Sequence, residues 1–239
     1  MISIVYPIYN LTEEQKSIHI NNWKSYPISL LEQVEIILVD DYSDSPLTLN
    51  IDFPINLTIA RIIEDKYYNI GGAKNLGMTL AKDGWIFSSD IDHILTKNSL
   101  EKVLNASLKK DTVYSFRRIQ IRRNGSMEAR HPHANSFMIE KGVFWKCGGY
   151  DEDMSGINGY GYEDALLNHQ IDLHYNRDLL DISLIECEIF KTNRVSRDSS
   201  TNLKLLQNKI SDKGYVNGKV LRFKWEILKS SIMFKKNKE

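Results

Sequence analysis

The chain has 239 residues, with 31 Lys and Arg against 31 Asp and Glu, and 42% of it is hydrophobic. That balance fits one large folded domain, or one domain with an appendage, and the zero formal charge argues against a dedicated nucleic-acid binder. Two cysteines, Cys147 and Cys187, exclude a disulfide scaffold, and there is no run of about 18 apolar residues to span a bilayer. The first residues, Met1 to Pro7, lack the basic stretch and long apolar core of a signal peptide, so a cytoplasmic protein is expected.

The short apolar run from Ile2 to Tyr6, ended by Pro7, predicts a buried parallel strand. Thr12 followed by Gln15 has the form of a capping box and starts a helix that ends near Pro27. Val34 to Val39 is a second strand, closed by Asp40-Asp41. Leu57 to Ile63 is a third, Gly72 to Lys82 a short helix, and Trp85 to Ser88 a further strand. This β-α-β-β-α-β order predicts an α/β sheet with crossover helices. Thr112 to Ile121 leads into a hairpin arm turned at Asn124-Gly125. Asn135 to Ile139 is a strand, Lys141 to Lys146 and Glu163 to His174 are helices, and Ile182 to Phe190 is the last strand. From Leu203 onward the tail reads as helical, with a basic amphipathic stretch over Val220 to Lys236 and a domain boundary near residue 195.

Ligands of an open parallel sheet bind at the carboxyl ends of its strands, and two of these strands end in acidic pairs, Asp40-Asp41 and Asp90-Ile91-Asp92. The second pair suits a hard divalent cation bridging a diphosphate, or equally a solvated loop. In Gly159-Tyr160-Gly161-Tyr162-Glu163-Asp164 the glycines allow close backbone approach to a ligand. Glu163 and Asp164 then sit at a helix start, either as a base within reach of a hydroxyl or as an acidic first turn. Asn69 to Gly77 is a glycine-rich lead into a helix. It reads as a phosphate cradle of exposed N–H groups and Lys74, or as a tight turn.

In order and spacing these stretches resemble the GT-A fold glycosyltransferases, family 2 above all. Ser3 to Asn10 is similar to the opening strand of that family, and Leu38 to Asp44 to its Val-Asp-Asp-x-Ser-x-Asp element. Asn69 to Gly77 is similar to Asn-x-Gly-x-Ala-Arg-Asn-x-Gly, with Lys74 where arginine is usual, and Asp90-Ile91-Asp92 to the metal-binding Asp-x-Asp. Gly148-Gly149-Tyr150-Asp151-Glu152 with Gly159 to Asp164 resembles a segment shared with family 7 galactosyltransferases.

The resemblance implies a GT-A domain over 1–195, with a mostly parallel central sheet flanked by helices, before a helical appendage over 196–239. It implies a metal-dependent inverting transferase taking a nucleotide-diphosphate sugar, UDP-sugar foremost, to a hydroxyl of a glycan, glycolipid or glycoprotein in polysaccharide or related biosynthesis. Pro7, Tyr9, Asp41, Asn69, Gly72, Lys74 and Asp90 are then expected on the nucleotide or donor, and Glu163 and Gly161 on the sugar or acceptor. Asp92, with Asp90, is expected to hold Mn²⁺ or Mg²⁺, and Asp164 to act as general base. Many relatives add a histidine ligand after the last strand. Here that region offers Glu188 as a third ligand, Lys191 on the phosphates, or a shell completed by water.

Trp145 and Tyr150 flank the Gly148-Gly149 turn as sugar-stacking faces or as core aromatics. His131 and His133 read as surface or acceptor-loop residues rather than as metal ligands, and His93 as a neighbour of the acidic pair in reach of a metal or diphosphate. Arg118 and Arg122 read as an exposed basic hairpin or a grip on an anionic acceptor. The basic tail suits packing onto the domain, peripheral membrane contact or a homodimer. The rival readings are a sugar-phosphate nucleotidyltransferase and a non-catalytic carbohydrate-binding relative.

Overall fold

The structure is a computed structural model that describes residues 1–156, 160–190, 199–212, 215 and 220–231. It opens with β1 (Ile2–Ile8), buried along its whole length. Pro7 does not end this strand. It shares the parity of Val5, the last β1 residue paired to the neighbouring strand on that edge, so no ladder donor is missed at Pro7. Thr12 and Gln15 form the reciprocal capping box that starts α1 (Glu13–Lys24), and the short α2 (Ile28–Leu31) leads into β2 (Val34–Asp41). β3 (Leu57–Ile62), α3 (Ile70–Leu80) and β4 (Trp85–Ser88) complete this half.

β5 (His93–Ile94) and α4 (Lys97–Leu104) follow, then the hairpin β6 (Thr112–Ile121) and β7 (Met127–Arg130). β8 (Phe137–Glu140), α5 (Lys141–Lys146), α6 (Glu163–His174), β9 (Asn176–Cys187), α7 (Ser200–Ser211) and β10 (Trp225–Ser231) close the chain. The ten strands form one sheet in the order β10-β3-β2-β1-β4-β8-β6-β9-β5, with β7 on β6. β3, β2, β1 and β4 are parallel neighbours, while β8, β5 and β10 attach antiparallel.

Alternation along β1 and β2 builds a core on each face of the sheet. Ile4, Tyr6, Ile36 and Leu38 pack on the side of Trp23 from α1. Val5, Ile37 and Val39 pack against Ala73, Leu76 and Met78 of α3. Gly77 lets α3 approach this closely, since a Cβ there would lie 2.3 Å from Val5 Cγ1.

Three expectations change. β5 and α4 were not anticipated, and β9 starts at Asn176 rather than Ile182. Its first turn of chain is polar and exposed, held by parallel pairing to β6 instead of by burial. The tail is helical over Ser200–Ser211, but residues 225–231 form a strand rather than a helix. Trp225 to Ser231 pair antiparallel with β3, whose outer edge would otherwise present an open row of backbone groups. The amphipathic helix behind the membrane-contact expectation is therefore absent from 225–231. Among the described residues no helix is long and apolar enough to cross a membrane.

Candidate functional site

The parallel strands deliver their carboxyl ends to one side of the sheet, where a cavity of about 590 Å³ opens. Pro7 and Tyr9 from the end of β1, Asp41 from β2 and Asp90 and Asp92 after β4 line it, and Tyr67 and Tyr68 form another wall. The two aspartates closing β2 divide their work. Asp40 is wholly buried and accepts from Ser43 N–H, Leu47 N–H and Arg61 Nη1, bracing the loop beyond it. Asp41 turns to the cavity. Burial pushes its carboxyl up to about 7, with the nearby polar groups of Asn69 opposing the shift.

Asp90 and Asp92 lie in contrasting surroundings. Burial opposes the Asp90 charge, yet the Lys74 ammonium at 2.8 Å holds its carboxyl below the usual range. Burial, then the Asp90 charge and that of Glu186, push Asp92 up to about 7. The site thus carries negative charge that the protein leaves only partly compensated at Asp92.

Two groups of side chains around this pair bring ligand atoms within 4.8 Å of one another: Asp90, His93 and His133, and Asp92, His93 and Glu186. In the second group the Arg118 guanidinium already reaches in, 2.8 Å from Glu186 Oε2 and 3.3 Å from His93 Nε2. His93 also bonds Ser136 Oγ at 2.7 Å, and burial lowers its pKa to about 4, so it is neutral. His133 Nδ1 lies 3.5 Å from Asp90 Oδ2, and burial lowers its pKa as well. Glu188, the expected third ligand, instead accepts from Arg123 N–H, because the strand ends at Cys187 and the chain turns there.

The turn that carries Glu163 and Asp164 meets the cavity wall at Tyr68. Tyr162 caps α6 with φ of +68°, a left-handed conformation that turns the chain so that Glu163 and Asp164 open the helix. Glu163 is buried, and its Oε1 accepts from the Tyr68 hydroxyl at 3.3 Å, which ties α6 to the cavity wall. Burial and the neighbouring Asp164 charge push Glu163 up to about 7. Asp164 is half-buried and is not among the residues lining the cavity. Its Oδ1 accepts from Ala165 N–H at 2.7 Å. Gly161, with φ of +77°, precedes this turn.

Other expected residues have packing roles. Gly72 lies beneath the Asn69 side chain and Phe223, where a Cβ would come within 2.3 Å of Asn69 Oδ1 and 2.7 Å of Phe223 Cε1. Its face is covered and offers no open phosphate cradle. Lys74 is wholly buried, donating to the Asn135 carbonyl at 2.8 Å, so its charge serves Asp90. Tyr150 is also wholly buried, its hydroxyl donating to Asn135 Oδ1, and it presents no face to a sugar. Trp145 packs edge-on against Phe144 at the rim of the core. Arg118 is locked onto Glu186 and His131, while Arg122 pairs with Glu128. His131 is exposed. Gly159 and Lys191 lie outside the described residues.

Residues 21–164 match the profile described as glycosyl transferase family 2. The chain belongs to that family. Among solved structures, TarS 1-349 from S. aureus in complex with UDP-GlcNAc superposes with a TM-score of 0.66 at 15% identity, covering 88% of this chain and 65% of that one. GalNAc-T7 with UDP, GalNAc and Mn²⁺ superposes with a TM-score of 0.59 at 11% identity, covering 89% of this chain and 50% of that one. The chain therefore spans about two thirds of the TarS fragment and half of the other neighbour. At these identities the likeness is one of fold, the GT-A fold. No curated protein sequence matches the chain. For a family 2 chain, the informative residues missed in the sequence were Tyr68 and Glu186, while His133 read there as a surface or acceptor-loop residue. None falls in an acidic or glycine-rich motif, and only folding brings them beside Asp90, Asp92 and Glu163.

Proposed function

We propose that the protein transfers a sugar from a nucleoside diphosphate, UDP-sugar foremost, to a hydroxyl of a carbohydrate or glycolipid acceptor with inversion at the anomeric carbon. One observation carries this reading: Asp41 and the Asp90-Ile91-Asp92 pair, separated by about 50 residues, line a single cavity with Pro7 and Tyr9. Neighbours of the same fold are described with UDP-GlcNAc and with UDP, GalNAc and Mn²⁺, which favours a uridine donor.

In this reading Pro7 and Tyr9 flank the base and Asp41 accepts a hydrogen bond from it. Asp90, kept ionised by Lys74, accepts from ribose or sugar hydroxyls. The donor set fits a divalent cation, because oxygen-rich Asp92 and Asp90 stand beside neutral His133 and Asp92 lacks a full counter-charge. Mn²⁺ or Mg²⁺ held there would neutralise the diphosphate as it departs. Asp164 takes the proton from the acceptor hydroxyl, whose oxygen bonds the anomeric carbon as the bond to the diphosphate breaks. Glu163, anchored by Tyr68, orients sugar hydroxyls.

The test is UDP release from a panel of UDP-sugars with Mn²⁺ present. Turnover of one donor, lost in Asp164→Asn, supports the reading. No turnover and no nucleotide binding contradicts it.

A further inference from the structure

In the transferase reading Asp164 serves the acceptor, and the structure ties the stretches 151–156 and 160–164 down from the C-terminal part of the chain. Asn202 of α7 is 1% exposed, and its side-chain amide donates to one carbonyl in each stretch, Met154 at 2.9 Å and Gly161 at 2.8 Å. An amide nitrogen carries two hydrogens, and both are used. Gly161 immediately precedes Tyr162, the left-handed residue from which Glu163 and Asp164 depart.

Further contacts reinforce this hold. Lys209, two turns along α7, pairs with Asp151 and, at 3.1 Å, with Asp153. Tyr215 donates to Asp151, and Leu206 packs against Met154 and Leu166. Glu152 accepts from the N–H groups of Leu221 and Arg222 at 2.6 and 2.9 Å, and from Asn75 of α3 at 3.0 Å. The first stretch is thus gripped between the helix behind the donor pocket and the tail.

We propose that Asn202 is a positioning residue for sugar transfer: by holding the Met154 and Gly161 carbonyls together it fixes where the α6 N-terminus presents Asp164 to the acceptor hydroxyl. This rests on the transferase reading. Asn202 is not among the residues lining the nucleotide cavity, so its loss should spare donor affinity and reduce the chemical step. Displacing a catalytic group by about 1 Å costs on the order of 100-fold in rate. Asn202→Asp is a stringent form of the test, because a near-isosteric carboxylate would face the two carbonyls with no hydrogen to donate.

The experiment compares wild type, Asn202→Ala, Asn202→Asp and the less buried Lys209→Met. It measures UDP affinity with Mn²⁺ by calorimetry, and UDP release from a UDP-sugar with water as acceptor. The expected result is a fall in kcat of about tenfold or more for the Asn202 variants, a smaller fall for Lys209→Met, and UDP affinity unchanged. Wild-type kcat in both Asn202 variants overturns the proposal. Parallel loss of UDP affinity and kcat also overturns it, since Asn202 would then be holding up the whole domain. Amide exchange gives a readout independent of turnover: Asn202→Ala should speed exchange over 160–166 and leave β1 unchanged. Equal exchange over 160–166 in variant and wild type overturns the clamp. If the wild type neither binds UDP nor turns over any UDP-sugar, the transferase reading fails, and the exchange comparison still decides the clamp.

Discussion

The Lys74 ammonium lies 2.8 Å from Asp90 Oδ1 with no access to solvent, and the same nitrogen donates to the Asn135 carbonyl. A buried charge left without its partner is costly, so Lys74 sets the ionisation of Asp90 from behind the cavity wall. Lys74→Met should destabilise the fold by about 3–5 kcal/mol in urea unfolding and weaken UDP binding. A variant with wild-type stability and affinity would remove this role.

The glycines between Asn69 and Gly77 give a second expectation. A Cβ on Gly77 would stand 2.3 Å from Val5 Cγ1, so α3 could no longer seat on β1. Gly77→Ala should cost about 1–3 kcal/mol of stability in urea unfolding. UDP affinity per folded molecule should stay at the wild-type value, because Gly77 acts through packing. Loss of affinity without loss of stability would place Gly77 on the ligand instead.

Glu163 makes stability depend on pH in a direction that follows from its setting. Its carboxyl is raised from the ordinary 4.5 to about 7, by burial and by Asp164. Between those values the folded protein holds a proton that the unfolded chain has released, so this group's contribution to stability falls as pH rises through that window. Glu163→Gln removes the effect. Its melting temperature should exceed that of the wild type at about pH 8, by an amount equivalent to roughly 1–3 kcal/mol, with the gap closing towards about pH 4. An equal gap at both pH values would contradict the burial argument.

Much of the frame was legible because parallel strands and amphipathic helices leave local patterns. Val34 to Val39 reads as a buried strand, and Thr12 with Gln15 marks a helix start that forms as expected. Trp225 to Ser231 misled because a basic, mixed stretch fits a helix by composition, while its strand is imposed by the open edge of β3. At the site, the acidic residues closing β2 and following β4 were legible as Asp41 and the Asp90-Ile91-Asp92 pair, whereas β1 runs on through Pro7 to Ile8. Lys74 and Gly72 looked phosphate-facing in sequence, yet burial turns one onto Asp90 and covers the other with Phe223. The grip of Asn202 on Met154 and Gly161 joins residues 48 and 41 positions apart, a separation that no local pattern encodes.

The central claim is that Asp92 and its neighbours hold a cation-bound nucleoside diphosphate while Asp164 acts only in the chemical step. Calorimetric titration of UDP with Mn²⁺ into wild type, Asp92→Ala and Asp164→Asn tests it most directly. The account predicts equal affinity for wild type and Asp164→Asn and a loss of about tenfold or more for Asp92→Ala. Undiminished Mn²⁺-dependent UDP binding by Asp92→Ala would contradict it.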